Sequence, residues 1–377
     1  MTIKDSRDKI DRIDDQLTEL FTKRMELSKK ISLAKKDEGL KVYDGSREAE
    51  VLKRLSDNNK EYSPYIRRLY RSIFELSKAY QSSFMDESDY GQGLLRVAEN
   101  SPKLFPKAGT IAVKGTDGCY AEQAASKIFT EGDILYFDSF YSVFDAVSKG
   151  YCDFGVLPIE NSSNGSVREV YDLMKVKDFY IVASYKLHID HCLMAKEGTK
   201  LEGLTQVISH HQALEQCDEF FRLHPFLKAV PYDDTAHAAE AVSKSNRKDL
   251  GAIASKVCKD IYGLEVLDNN VQNSQNNYTR FIVIKKDPTI YPGARKISIT
   301  LSLADRQGSL YEVLGKFQAL GLNLSKLESR PYPNSNFEFI FYFDFEGSVY
   351  SKEVRDLLTQ LYEGRDDFNF LGNYLEF

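Results

Sequence analysis

The stretch DSRDKIDRIDDQLTELFTKRMELSKKISLAKKDE, residues 5–38, decides the fold of the N-terminal region. It holds neither glycine nor proline, and apolar side chains recur in alternating three- and four-residue steps, the spacing of one helical face. At about 1.5 Å per residue the helix is roughly 50 Å long. One helix cannot bury its own apolar stripe, so the pattern predicts an antiparallel or dimeric helical bundle. The stripe contains Ile10, Ile13, Leu17, Leu20, Leu27, Ile31 and Ala34.

The composition is that of a globular protein. The 377 residues are 42% hydrophobic and 28% charged, with a net charge of −6, so there is no basic field for nucleic acid. At about 100 to 200 residues per domain, two or three domains are expected. No apolar run is long enough to cross a membrane, and the first residues lack the apolar core of a secretory signal. We therefore expect a cytoplasmic protein.

Cysteine and histidine usage gives no sign of a disulfide framework or a metal centre. The five cysteines are spread singly, and the six histidines form no HExxH motif. His188 and His191 flank Asp190, which leaves a metal site there as a weaker alternative. We expect neither a metal ion nor a cofactor.

The rest of the chain divides by pattern into three further parts. Two more helices are predicted before residue 88, and residues 89–107, with two glycines and two prolines, read as a linker with room for one short helix. Strand-like and helical runs alternate over residues 108–286, which indicates an α/β domain with at least part of its sheet parallel. Residues 295–377 show the order βαββαβ of a ferredoxin-like α+β module, for which pairing with a second copy is expected.

A cation interrupts the apolar stripe of the first helix. The steps that place Leu20 and Leu27 on the stripe also place Arg24 there, and Arg7 and Lys35 lie one residue beside it. Burying a guanidinium without a partner costs several kcal/mol. These cations therefore need anionic partners in the bundle.

The third helix has a matching irregularity, because Ser77 and Gln81 occupy positions on its apolar stripe. Two interpretations stay open. The cations pair with internal acids such as Asp14, Asp44 and Glu48, or the polar groups of both helices bind a small dicarboxylate. The presence of arginine favours the second interpretation, because a guanidinium group can donate two parallel hydrogen bonds to one carboxylate.

At matching spacing, these side chains resemble the active site of the all-helical chorismate mutases, over residues 1–88. The resemblance implies the pericyclic rearrangement of chorismate to prephenate, which requires a held conformer and stabilised charge rather than a nucleophile. It also implies that two chains intertwine, with Arg7 completing the site of the partner. By resemblance the arginines bind the substrate carboxylates, Glu48 takes its hydroxyl group, and Lys35 and Gln81 are the catalytic donors to the ether oxygen. The substrate-binding set is Arg7, Arg24, Lys35, Asp44, Arg47, Glu48, Ser77 and Gln81.

Several polar motifs follow apolar strands in the α/β region, where such folds place ligand-binding loops. They are Pro158-Ile159-Glu160-Asn161, Ser209-His210-His211-Gln212 with Gln216 and Cys217, Tyr262-Gly263-Leu264, and Thr279-Arg280-Phe281. Together they resemble prephenate dehydratase over about residues 108–286. That family has two α/β lobes around a cleft, similar to periplasmic binding proteins.

The resemblance implies decarboxylation of prephenate with loss of its ring hydroxyl, which yields phenylpyruvate. Thr279 is the expected catalytic donor to that hydroxyl, and Arg280 is expected to orient or bind a substrate carboxylate. The remaining residues expected to line the cleft are Glu160, Asn161, Ser209 and Gln216.

One loop departs from the family pattern. Where the family has Gly-Pro-x-Gly-(Thr/Ser)-(Tyr/Phe)-Ser, residues 115–121 read GTDGCYA, with Cys119 in place of the hydroxyl residue and Ala121 in place of serine. The glycines and Tyr120 remain, so backbone N–H groups could still bind a carboxylate.

The C-terminal module carries Gly308-Ser309-Leu310 and Glu328-Ser329-Arg330-Pro331. These resemble the GAL and ESRP signatures of the ACT domain of prephenate dehydratases. The resemblance implies that phenylalanine binds between two copies and inhibits the enzyme; a plain dimerisation module is the alternative.

The sequence thus predicts a bifunctional enzyme of phenylalanine biosynthesis that is at least a homodimer, acts on chorismate and prephenate, and is regulated by phenylalanine. Two alternatives stay open: a non-catalytic aromatic amino-acid sensor in place of the second activity, and a mutase with an inactive second domain because of the altered 115–121 loop.

Overall fold

The computed structural model describes residues 2–174, 177, 179–303, 305, 307–331, 339–363 and 367–377. The chain forms two compact units. One comprises Met1–Glu99 and Ile297–Phe370, and the other Asn100–Lys296 and Leu371–Phe377. The C-terminal residues therefore group with the α/β region.

The N-terminal region is helical, as predicted, and its fourth helix lies within residues 89–107, the stretch predicted to be a linker. Its helices are α1 (Ile3–Asp37), α2 (Gly45–Asn58), α3 (Ser63–Ser82) and α4 (Asp89–Asn100). Thr2 and Asp5 form a capping box that starts α1, and Asp44 caps α2 by accepting a hydrogen bond from the Arg47 N–H. The third helix begins at Ser63, directly before Pro64, and its N-cap residue Tyr62 makes no side-chain capping hydrogen bond.

The apolar stripe of α1 has only part of its surface covered within one chain. Both α1 and α2 pack on α3, yet six large side chains of the stripe remain more than half exposed. They are Ile10, Ile13, Leu17, Leu20, Leu27 and Ile31. A row of exposed apolar side chains this long is typical of a surface that associates with another chain.

The α/β region contains two sheets. Its elements in chain order are β1 (Ala108–Lys114), α5 (Tyr120–Ile128), β2 (Glu131–Phe137), α6 (Phe140–Ser148), β3 (Phe154–Asn161), β4 (Gly165–Ser166), α7 (Arg168–Met174), β5 (Tyr180–His188), β6 (Cys192–Lys196), β7 (Gln206–His210), α8 (His211–Glu215), α9 (Asp218–Leu223), β8 (Lys228–Tyr232), α10 (Thr235–Lys244), β9 (Leu250–Ala254), α11 (Cys258–Tyr262), β10 (Leu264–Asp268) and β11 (Tyr278–Lys285). The C-terminal elements are β12 (Lys296–Leu303), α12 (Ser309–Ala319), β13 (Leu324–Pro331), β14 (Phe339–Glu346), α13 (Lys352–Tyr362) and β15 (Asn369–Glu376).

The order of the strands in the two sheets determines which polar motifs lie next to each other. In the second unit one sheet runs β15-β5-β11-β3-β1-β2, with β4 beside β3, and the other runs β10-β6-β9-β7-β8. Strands β1, β2 and β3 are parallel, as are β7, β8 and β9, whereas β11 is antiparallel to both of its neighbours. The prediction of a partly parallel α/β region is confirmed. Because β11 lies between β3 and β5, Thr279-Arg280-Phe281 (the TRF motif) is next to Pro158-Ile159-Glu160-Asn161 (the PIEN motif).

The C-terminal elements follow the predicted order βαββαβ. In the first unit the sheet order is β13-β14-β12, so β13 is an edge strand there. The last strand leaves this unit at Leu371 and pairs in parallel with β5, with Leu375 opposite Ala183.

In the described part of the chain, no helix is both long enough and apolar enough to cross a membrane. The same residues contain no group of three or more metal-binding side chains suited to an ion.

Candidate active sites

Arg24 and Ser77 connect the first and third helices. The Arg24 guanidinium donates to the Ser77 hydroxyl, which is buried, and lies 5.7 Å from the centre of the Phe74 ring. Burial lowers the pKa of Arg24, while Tyr70 and Glu48 oppose that shift. A guanidinium remains protonated in such surroundings. The cation on the stripe therefore points into the helical region, toward α3.

A second part of the helical site is built around Lys78. Its ammonium lies 2.6 Å from Glu75 and 3.3 Å from Glu48, and 5.3 Å from the centre of the Tyr43 ring. Burial lowers the pKa of Lys78, but Glu75 and Glu48 outweigh burial, so the net shift is upward. For Glu48, burial raises the pKa and Lys78 is the main opposing group. The Lys78 ammonium thus favours the ionised form of Glu48.

Sequence reasoning missed Lys78. Its position immediately after Ser77, beside the polar break in the α3 stripe, is a signal that could have identified it.

The other predicted mutase residues are arranged less closely. Lys35 donates to the Val42 carbonyl at 2.8 Å, and the Gln81 amide donates to the Ser77 carbonyl at 3.2 Å. Asp44 caps α2, and Arg47 pairs with Glu50 at 2.6 Å on the surface. Arg7 lies exposed on the first turns of α1. One chain thus brings together Arg24, Ser77 and Gln81, with Glu48 near Arg24, while Arg7 and Arg47 face outward.

A cleft of about 940 Å³ lies beside this group, within the first unit. Its lining includes Glu48 and Lys78 from the N-terminal helices, and Tyr311, Lys316 and Gln360 from α12 and α13. The C-terminal helices therefore form one wall of the space that Glu48 faces.

In the second unit, the predicted threonine lies opposite an asparagine of the PIEN motif. Thr279 on β11 pairs with Asn161 on β3, and the Asn161 amide donates to the Thr279 hydroxyl oxygen at 2.9 Å. The same amide group is 2.8 Å from the Asn277 side-chain oxygen. Thr279 is 9% exposed, so its hydroxyl is held in a largely buried polar setting.

A chain of side-chain hydrogen bonds extends from this pair through Gln216. The Gln216 amide donates to Asn161 at 3.4 Å, and its oxygen accepts from Asn277 at 3.0 Å. That oxygen is also 3.0 Å from His191 Nε2, and His191 Nδ1 is 3.0 Å from the Tyr120 hydroxyl. Burial lowers the pKa of His191, which favours the neutral imidazole near pH 7.

Sequence reasoning missed Asn277 and the role of His191. Asn277 could have been identified from its place two residues before Thr279. A small cavity of about 220 Å³ is lined by Asn164, Gln216 and Asn277, among others, next to this network. These polar groups are therefore close to space that a small molecule can enter.

Three residues that were predicted to line the cleft lie away from the Thr279 hydroxyl. The Ser209 hydroxyl is fully buried and donates to the Ile253 carbonyl at 2.6 Å. Glu160 and Arg280 pair with each other at 2.6 Å across β3 and β11. Successive residues of a strand point to opposite faces, so this pair lies on the face opposite Thr279. The structure thus does not bring Arg280, Glu160 or Ser209 to the Thr279 hydroxyl.

The unusual 115–121 loop is well bonded internally. Cys119 caps α5, with its sulfur accepting from the Glu122 N–H at 3.4 Å, and burial raises its pKa to about 12, so it stays a thiol. The Gly118 N–H donates to the Glu122 carboxylate, which occupies one of the backbone donors expected to bind substrate. Cysteine therefore replaces the usual hydroxyl residue as the helix cap.

The predicted effector residues flank the start of α12 and lie along β13. Gly308 has φ of 93° at the N-terminus of α12, followed by the buried Ser309. Glu328, Ser329 and Arg330 lie on the edge strand β13. Among the described strands, β13 is the outermost one of this part of the sheet.

The two sites define a class of protein: an enzyme that joins a helical chorismate mutase to an α/β prephenate dehydratase. The family model described as chorismate mutase type II matches residues 6–82, and that described as prephenate dehydratase matches residues 111–289. The bifunctional chorismate mutase/prephenate dehydratase of Escherichia coli (strain K12) is 32% identical over 98% of this chain and 95% of its own length. The chain belongs to the bifunctional chorismate mutase/prephenate dehydratase family, and it is an enzyme with both activities.

Two further relatives match about 70% of the chain's length. Arogenate dehydratase 2 of Petunia hybrida is 37% identical, over 70% of this chain and 71% of its own. The crystal structure of prephenate dehydratase from Arthrobacter aurescens in complex with L-Phe has a TM-score of 0.66 and 26% identity, over 71% of this chain and 90% of its own.

Proposed function

We propose that the mutase site is built on Arg24, Lys35, Glu48, Ser77 and Gln81, within a domain of residues 1–88. Arg24 is already turned toward Ser77 and supports this assignment, since it needs an anionic partner that a substrate carboxylate would supply. Asp44 and Arg47, at the start of α2, are the other residues that the same chain contributes to the mutase site. Arg7 of a second chain supplies the remaining cation.

The proposed dehydratase site lies in residues 108–286 and is centred on Thr279. The single observation that carries it is the Asn161–Thr279 hydrogen bond, which leaves the threonine O–H directed away from Asn161. Thr279 then donates to the departing hydroxyl of prephenate. Gln216 and Asn277 orient Asn161, while His191 and Tyr120 hold Gln216 in place.

The functional form is proposed to be a homodimer. The exposed apolar stripe of α1 and the edge strand β13 each present a surface that a second copy would cover. Pairing through α1 also brings Arg7 into the partner's site.

Residues 295–377 are proposed to bind phenylalanine through Gly308, Ser309 and Leu310 with Glu328, Ser329 and Arg330. The relative from Arthrobacter aurescens was solved with L-Phe, which supports the assignment. A ligand inhibits only if it binds the less active state more tightly. Dehydratase rates should therefore fall as phenylalanine is added, and equal rates would contradict the regulatory role.

Incubation of the full chain with chorismate tests the two activities together. Phenylpyruvate as the end product is expected. Accumulated prephenate would show an inactive second site, and unchanged chorismate would show that neither site works. Because the fused mutase supplies prephenate, we propose prephenate rather than arogenate as the substrate; rates measured on each separate the two.

A further inference from the structure

The last strand of the chain, β15, belongs to the same sheet as β11, the strand that carries Thr279. Leu375 pairs with Ala183 on β5, and the Phe377 N–H donates to the Ser184 carbonyl at 2.9 Å. Gly372 approaches β5 so closely that a Cβ there would lie 2.1 Å from the Ile181 carbonyl oxygen. Only glycine permits this contact, so the position of β15 against β5 is narrowly fixed.

One side chain of this strand reaches the TRF motif. Tyr374 is fully buried, and its hydroxyl accepts from the Arg280 guanidinium at 3.2 Å. Arg280 is 5% exposed, and its Nε donates to Glu160 at 2.6 Å. A charge this deeply buried depends on its hydrogen-bonding partners for orientation. Tyr374 and Glu160 therefore each help to hold the Arg280 side chain in its position.

Arg280 and Thr279 are neighbours on β11 whose side chains point to opposite faces of the sheet. Holding Arg280 from one face consequently restrains the backbone that presents Thr279 on the other face. Thr279 in turn must stay aligned with Asn161, its partner on β3. Small displacements of a reacting group can reduce a rate by up to about a hundredfold.

We propose that Tyr374 is a positioning residue for the dehydratase reaction: from the C-terminal strand it orders the Arg280–Glu160 pair and, through β11, the hydroxyl of Thr279. Arg280 acts in this arrangement as part of the sheet's buried framework rather than as a substrate ligand. The proposal rests on Thr279 being the dehydratase donor. The strand begins at Asn369 in the other unit, so the residues that position Thr279 are covalently continuous with the C-terminal module.

The test uses the full chain and the variant Tyr374→Phe, which removes one oxygen and keeps the ring. The kcat for prephenate should fall roughly tenfold, with KM changed less than about twofold, because alignment rather than binding is lost. Mutase activity of the same sample should be unchanged, which shows that the first unit remains folded. Tyr291→Phe is the matched control: this tyrosine is also buried in the second unit, with its ring 4.8 Å from that of Phe105, and its kcat should stay near wild type.

A double-mutant cycle with Arg280→Lys separates positioning from a general structural effect. Lysine keeps the positive charge but lacks the planar guanidinium fork that Tyr374 orients. Adding Tyr374→Phe to the Arg280→Lys variant should therefore lower kcat by less than about a further twofold. A kcat within twofold of wild type for Tyr374→Phe, or fully additive effects in the cycle, would overturn the proposal. If Thr279→Val leaves phenylpyruvate formation intact, the assignment of Thr279 fails instead, and the two failures are distinguishable.

Discussion

The side-chain amide of Asn161 donates a hydrogen bond to the hydroxyl oxygen of Thr279 at 2.9 Å, between two strands that are antiparallel neighbours. Because the oxygen accepts this bond, the threonine proton stays available to another acceptor. A threonine hydroxyl is a weak acid, so its contribution is expected to be hydrogen-bond donation to the departing group.

Replacement of Thr279 by valine tests that role. Valine keeps the shape of the threonine side chain but removes its hydroxyl group, the proposed hydrogen-bond donor. Phenylpyruvate formation from prephenate should therefore fall by about a hundredfold or more. Chorismate consumption by the same sample should stay at the wild-type rate. Thr279→Ser, which retains a hydroxyl, should recover part of the activity. Loss of both activities, or of neither, would count against separate sites.

Replacement of Lys35 by alanine is expected to abolish mutase activity, since it removes a cation proposed to stabilise charge on the ether oxygen. The rate with supplied prephenate should be unaffected. Lys36→Ala is the matched control. It removes the neighbouring lysine, which is not among the residues proposed for the mutase site and pairs instead with Asp86 at 2.7 Å. A near-normal mutase rate for Lys35→Ala in a chorismate depletion assay would refute the assignment.

Lys78 should set the pH range of the mutase. Burial raises the pKa of Glu48, and Lys78 opposes that shift, with Lys316 on α12 acting in the same sense and Glu75 against it. Arg24 also lies near Glu48. If the Glu48 carboxylate accepts the substrate hydroxyl, removing the Lys78 charge raises the pKa of Glu48 further. The acidic limb of kcat/KM should therefore move to higher pH in Lys78→Met.

The matched variant Lys78→Arg keeps the positive charge, and its acidic limb should stay close to that of the wild type. Rates measured from pH 4 to 9 distinguish the variants. Superimposable profiles for Lys78→Met and wild type would show that Lys78 does not control the ionisation of Glu48.

The α1 stripe should be needed for dimerisation. Leu17 and Leu20 are 54% and 62% exposed within one chain, so Leu17→Lys with Leu20→Lys adds charge without disturbing the chain's own core. Light scattering should show a smaller particle, and mutase activity should fall because Arg7 no longer reaches a partner's site. Thr18→Lys, on the same helix but off the stripe, serves as the control. A monomer with full mutase activity would contradict the shared site.

Gly372 should be intolerant of any side chain. Gly372→Ala places a Cβ against the Ile181 backbone, which cannot move aside easily, so we expect a loss of about 1 to 3 kcal/mol in the free energy of unfolding. Gly203→Ala, in the same unit and with open space around the new methyl group, should change stability by less than about 0.5 kcal/mol. Equal urea midpoints for the two variants would contradict the close approach of β15 to β5.

Local patterns predicted the elements well. The three- and four-residue steps of residues 5–38 gave α1, and the C-terminal alternation gave the order βαββαβ. The cation Arg24 was identified from the same periodicity, and the structure turns it toward Ser77. Motif resemblance placed Asn161, Gln216 and Thr279 in one site, and the structure brings these three together.

The sequence by itself determined which residues form helices and strands and which polar side chains interrupt apolar faces, because those properties depend on neighbours only a few positions away. Only the tertiary structure decided that Arg280, adjacent to Thr279, faces Tyr374 instead of the site. Residues 118 and 94 positions apart, Asn161 with Thr279 and Arg280 with Tyr374, are joined by the order of strands in the sheet. Strand order depends on pairing between distant segments, which local periodicity does not encode.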